Sequence, residues 1–203
     1  NYGSTGEICI SISTFVRSKG NECNFYFALS KGPIRQYEFK YSSKFFQIFS
    51  ALKTRLFGKQ FFRASLSTFK LVRLLKKYKP DLVNIHCCNA YSLNFNILCN
   101  YLEKNEIPVV LTGHALFYST GCCAHILDGC DLYFRNGCNL CPNNKKACKT
   151  INRFYKSYLD FNLMKNAFSK ISARYVGVSD FVTNIAKLSP LNSTQMPMTI
   201  LNG

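Results

Sequence analysis

The chain has 203 residues, enough for one generous domain or at most two small ones. A hydrophobic share of 47 % against 18 % charged residues excludes a disordered or collagenous chain. No apolar run approaches the ~18 residues that span a bilayer, so a soluble globule is expected, and the net charge of +16 sets it apart as a protein whose field draws anions: nucleic acid, acidic lipid headgroups or phosphorylated small molecules.

The first residues, "NYGSTG", are small and turn-prone, and Glu7 to Gly20 then predicts a helix, with Glu7 favourable in its first turn and Gly20 as a stop. Cys23 to Leu29 is an apolar, aromatic run that predicts a buried strand, broken by Gly32-Pro33. Phe45, Phe49, Leu52 and Leu56 recur at helical spacing, with Lys44, Lys53, Arg55 and Lys59 largely outside the stripe and Gly58 at its end. Phe62 to Lys79 gives a further helix, stopped before Pro80. Asp81 to Cys87 predicts a strand, Tyr91 to Glu106 a helix, and Ile107 to His114 a strand ending in a glycine turn. About 115–150 has weak periodicity and reads as a long cysteine-rich loop. A helix from about Ile151 to Lys170, the strand "RYVGVS", a helix begun by Ser179-Asp180 and a short strand at "MTILN" complete the chain. Strands that are continuous apolar runs, alternating with helices, predict an α/β fold whose parallel sheet is covered on both faces.

Charge and cysteine are both unevenly spread. From Phe39 to Pro80 there is no Asp or Glu, while lysine and arginine recur throughout. Basic amphipathic helices of this kind can lie on anionic membranes, and the clustered phenylalanines favour that use; the plainer reading is an apolar stripe turned into the core and a solvated charged face. Of the eleven cysteines, Cys9, Cys23, Cys87, Cys88 and Cys99 sit in apolar or mixed stretches and read as small hydrophobes. The odd total and the scatter point to a reducing, cytoplasmic compartment.

Three motifs carry chemistry. "GSTG", Gly3 to Gly6, precedes the first helix, where glycines let a backbone approach a ligand and free N–H groups favour phosphate; many tight turns look the same. His114 stands just beyond the C-terminal end of a strand, where ligands of open α/β sheets bind, and His86 has a similar place; either could equally be a structurally bonded histidine. Cys123, Cys130, Cys138 and Cys141 follow a C-x6-C-x7-C-x2-C pattern that suits a structural zinc site, with Cys122, Cys148 or His125 able to replace one ligand. Disulfides and unbound structural thiols stay open beside zinc.

Taken in order, "GSTG", "KPDLVNIHC", "IPVVLTGHALFYSTGCCAHILDGCDLYFRNGCNLCP", "YVGVSDFV" and the closing "ILNG" resemble the N-terminal domain of bacterial glycosyltransferase family 4 enzymes, most of all polysaccharide-assembly members. The resemblance spans nearly the whole chain and is weakest from about Gly32 to Phe69; the cysteine segment is its most specific part. It implies a Rossmann-like domain, residues 1–203, forming the acceptor half of a GT-B enzyme, with a donor domain after 203. It further implies retaining transfer of a sugar from a nucleotide-sugar donor to a glycan or lipid-linked acceptor in cell-surface polysaccharide synthesis. By motif match, Gly3, Ser4, Thr5 and Gly6 lie near the donor diphosphate, and His114 approaches the transferred sugar. Ala115 stands where the family often has an acidic residue, and the expected aromatic is displaced to Phe117 and Tyr118, which with His86 are the acceptor candidates. Catalysis in such sites needs no metal, since helix N-termini and basic side chains offset the diphosphate charge, so zinc on the thiols would be structural. The basic helices gain a reason as well: a cationic first domain can dock peripherally on the inner face of the cell membrane. The chain opens on Asn1 and stops at "ILNG", so a segment of something longer is expected, inactive by itself.

Two readings compete with it. A zinc-bearing nucleic-acid-binding module would use the charge and the cysteines, but the thiol spacing is not that of a regular finger and the alternating strands suit a small-ligand fold better, so nucleic acid is disfavoured. A domain that binds glycan or membrane without turnover is the other, kept open by Ala115.

Overall fold

A computed structural model describes residues 3–29, 32–87, 91–126, 130, 131, 134, 141, 144–152 and 154–202. The chain order is α1 (Gly3–Ser18), β1 (Phe25–Phe27), β2 (Glu38–Lys40), α2 (Lys44–Phe57), α3 (Ser65–Tyr78), β3 (Val83–Ile85), α4 (Phe95–Lys104), β4 (Val109–Gly113), α5 (Phe117–Thr120), α6 (Asn144–Ala147), α7 (Tyr158–Phe168), β5 (Ala173–Gly177), α8 (Asp180–Leu188) and β6 (Met198–Thr199). Four strands form one parallel sheet in the order β3-β4-β5-β6, and β1 and β2 pair parallel in a second, small sheet. The expected α/β, Rossmann-like arrangement of parallel strands and helices is therefore present.

Consecutive residues decide that the main sheet is covered on both faces. Leu111, Thr112 and Gly113 of β4 are all buried, as are Tyr175, Val176 and Gly177 of β5, although neighbours along a strand point to opposite sides. The core runs through Phe61, Phe95, Leu102, Leu111, Phe161 and Tyr175, all at most 1 % exposed. Each such side chain adds about 1.5–3 kcal/mol by leaving water. Gly113 is required where it stands: a Cβ there would overlap the Tyr175 hydroxyl and come within 2.8 Å of its ring Cζ.

Side-chain caps fix the starts of three helices, the one at Ser179 as expected from the sequence. Ser43 accepts from the Phe46 N–H at 3.3 Å, Asn94 from Ile97 at 3.4 Å and Ser179 from Val182 at 3.3 Å. Lys79, in the left-handed region at φ 44°, ends α3 just before Pro80.

The structure departs from the sequence-based reading in five places. The helix begins at Gly3, so "GSTG" is its first turn rather than a loop ahead of it. The strand β2 was not anticipated; three residues with Glu38 and Lys40 flanking Phe39 carry no apolar run. Single helical turns, α5 and α6, interrupt the cysteine-rich segment. The helix expected from Ile151 starts only at Tyr158, because the preceding residues are tied elsewhere: the Ile151 N–H and the Thr150 hydroxyl both donate to the Arg55 carbonyl, at 2.9 and 3.1 Å.

The last departure concerns α2, whose apolar stripe faces solvent instead of the core. Phe45, Phe49, Leu52 and Leu56 are exposed, while Gln47, Ser50 and Thr54 are buried. Those polar groups find partners inside: the Gln47 amide donates to the Ala28 carbonyl at 3.1 Å and the Thr54 hydroxyl to Ser50 at 2.8 Å. Burial without loss of hydrogen bonds makes the inward polar face tenable.

Candidate functional site

Two adjacent parallel strands deliver the site. Ile85 ends β3 and Gly113 ends β4, so His86 and His114 emerge side by side at the carboxyl edge of the sheet, where ligands of such folds bind. The Thr112 hydroxyl donates to Asn84 at 2.8 Å, tying the two strands just before they end. His86 Nδ1 and His114 Nε2 then lie 3.0 Å apart, in hydrogen bond, with ring centroids 5.3 Å apart.

A cavity of about 290 Å³ opens there, lined by Thr5, His86, Cys87, His114, Ala115, Phe117, Tyr118, Ala124 and His125. Burial, reinforced by the neighbouring imidazole, pushes the His86 pKa down to about 4. Burial also lowers His114. Both rings are therefore neutral at pH 7 and act as hydrogen-bonding groups, not as cations. One hydrogen is shared between the facing nitrogens, so the role of each remaining ring nitrogen, donor or acceptor, is set by the partner ring.

Of the residues singled out in the sequence, Thr5, His86, His114, Phe117 and Tyr118 meet in this cavity. Gly3 and Ser4 are exposed at the start of α1 and Gly6 is buried in the same turn; none of the three is among the lining residues. Tyr118 is 2 % exposed, and its ring packs edge-on against Phe95, Phe168 and Tyr175, so most of it belongs to the core. Phe117 stands against Phe61 with centroids 5.3 Å apart.

Cys87 and His125 were not placed here by the sequence. Cys87 read as a buried small hydrophobe, whereas it is exposed at the cavity; the usable signal was that the apolar run ends at Ile85, one residue before the histidine. Nothing local places His125, which reaches the cavity because α5 turns the chain back at Gly121, where φ is +82° and a Cβ would press on the Phe161 backbone at 2.8 Å.

Of the four cysteines proposed to hold zinc, Cys123, Cys130 and Cys141 are described. Cys138 lies outside the described residues. Among those described, no group of three or more His, Cys, Asp or Glu is arranged to hold a metal ion. Cys122 Sγ lies 2.7 Å from Cys148 Sγ, both buried, with Tyr155 packed on them. Hydrogen bonds to Cys123 and Cys148 raise the Cys122 pKa, and the same bond from Cys122 lowers that of Cys123. Beneath them the Tyr155 hydroxyl donates to Asp160 Oδ2 at 2.7 Å, and burial raises the Asp160 carboxyl to about 7.

A family model described as glycosyl transferase 4-like matches residues 10–122 of the chain. The match takes in His86 and His114 and ends at Cys122, before most of the cysteine segment. Neither the curated proteins nor the solved structures compared with the chain gave a match.

Proposed function

The chain belongs to the glycosyl transferase 4-like family, and from that membership we propose that the cavity at the ends of β3 and β4 is the place where a sugar passes from a nucleotide-sugar donor to a glycan or lipid-linked acceptor, with retention at the anomeric carbon. The observation that carries this reading is the neutral His86–His114 pair, 3.0 Å apart, facing Thr5 from the first turn of α1.

Each part has a physical role in the proposal. His114 meets the transferred sugar through its ring nitrogen not engaged by His86, and as a neutral group it can exchange a hydrogen bond with a hydroxyl without needing a counter-charge. The start of α1 brings the positive end of a helix dipole, with Thr5, to the cavity, suited to a diphosphate. His86, Phe117 and the cavity edge of Tyr118 face the acceptor. The donor's remaining contacts come from a second domain beyond 203, and residues 1–203 alone bind without turnover. Cell-surface polysaccharide synthesis is the proposed setting.

Zinc on Cys123, Cys130, Cys138 and Cys141 remains a structural proposal. Four thiolates would close its coordination shell, so it would hold the loop and take no part in the transfer.

The test is transfer by the longer chain containing these residues, with a panel of nucleotide-sugars and the product's anomeric configuration read by NMR. His114→Ala should lower turnover by about a hundredfold or more, on the scale of losing one well-placed hydrogen-bonding group in a site. Unchanged turnover would remove His114 from the chemistry.

A further inference from the structure

The outer face of α2 is built as an interfacial helix. At 100° per residue, Ile48, Leu52, Phe45, Leu56 and Phe49 fall within an arc of about 100°, opposite the buried Gln47, Ser50 and Thr54. Phe45 and Ile48 are 74 % and 70 % exposed. Lys44 and Arg55 border the arc on one side and Lys53 on the other, with the Lys53 ammonium 4.3 Å from the centre of the Phe49 ring. The helix cannot simply roll the stripe inward, because the buried Gln47 amide is held by the Ala28 carbonyl outside the helix.

We propose that this face docks on an anionic lipid bilayer, α2 lying in the interface plane with its phenylalanines among the acyl chains and its lysines and Arg55 at the headgroups. The charge pattern selects this occupant. From 39 to 80 every charged side chain is cationic, so a second copy of the chain would set like charges against each other, whereas an anionic surface complements both the stripe and its borders. No helix among the described residues is long and apolar enough to cross a membrane, which leaves the in-plane mode for α2. The inference stands apart from the transfer reading, because lipid binding needs neither donor nor acceptor.

Vesicle sedimentation tests it, using the full chain with phosphatidylcholine vesicles and with phosphatidylcholine–phosphatidylglycerol vesicles. Binding to the anionic vesicles should be at least about tenfold tighter and should weaken with salt. A Phe45→Ser, Phe49→Ser, Leu52→Ser variant, checked for fold by circular dichroism, should lose about tenfold or more on the same vesicles. The chain has no tryptophan, so Phe49→Trp gives a single reporter whose emission should shift to the blue on anionic vesicles and be quenched by lipids brominated on their acyl chains. Wild-type protein left in the supernatant with both vesicles, full binding by the triple variant, or an unmoved tryptophan would each overturn the proposal. So would a dimer in solution that the triple variant abolishes, since the occupant would then be a second copy.

Discussion

The half-buried His86 and the buried Asp160 are ionisable groups whose pKa values move in opposite senses, and their effects on stability oppose each other. His86 titrates near 4 in the fold against about 6.5 when unfolded. Its neutral form therefore contributes stability that is complete above pH 6.5 and lost as pH falls toward 4, because the unfolded chain takes up the proton first. Asp160 titrates near 7 against 3.8. Its contribution is present below 3.8 and lost as pH rises through 7, when the unfolded chain has already released its proton. Each is worth roughly 3 to 4 kcal/mol across its window. The two slopes largely cancel between pH 4 and 6.5 in the parent protein. His86→Gln should uncover a stability that falls as pH rises from 4 to 7, and Asp160→Asn one that rises from 4 to 6.5. Urea midpoints measured across pH 4–8 decide this; two variants with parent-like flat profiles would mean that neither group titrates as described. The place of His86 and His114 past two strand ends was legible in the sequence, because each comes just after a short, mostly apolar strand. Their 3.0 Å contact was not. It depends on β3 and β4 being neighbours in register, which separates two residues by 28 positions along the chain but by one hydrogen bond in space.

Among the elements, α2 and the cysteine-rich segment are linked. Arg55 at the end of α2 receives two hydrogen bonds from Thr150 and Ile151, the Lys59 N–H donates to the Tyr155 hydroxyl at 3.0 Å, and the Gln60 amide donates to the Cys122 carbonyl at 3.2 Å. The segment is thus fastened at both ends to the last turn of α2 and the residues just after it. Zinc analysis and a free-thiol count on one anaerobically purified sample test what holds its middle. The structural-zinc proposal expects about one zinc per chain, with four thiols protected until a chelator is added. Absence of zinc with every thiol reactive would remove it, and absence of zinc with two thiols missing would point to a Cys122–Cys148 disulfide. The helical period of α2 and its end at Gly58 were readable from sequence, since spacing alone defines a stripe. Its direction was not. Which side of a helix is inside depends on the carbonyl of Ala28 waiting for Gln47, and no local pattern contains that.

For the whole molecule, one apolar core runs from Ala28 beside the small sheet to Leu191 near the last strand. A core shared by both sheets predicts one cooperative unfolding transition, in which the loss of helix by circular dichroism and the exposure of the buried Cys99 thiol coincide along a urea gradient. Two separated transitions would show that the β1–β2 pair is a unit of its own. The same architecture gathers the start of α1 and the ends of β3 and β4 at one cavity. By itself the sequence determined the alternation of helix and strand, the parallel sheet, the two histidines at strand ends and a strongly cationic stretch, because each is a property of local pattern: period, capping, apolar run length, charge. Only the tertiary structure decided that the histidines pair, that Cys87 and His125 join them, that Cys122 meets Cys148, and that the phenylalanines of α2 look outward. Those are relations between distant segments, fixed by which hydrogen bonds and which core contacts can be satisfied together.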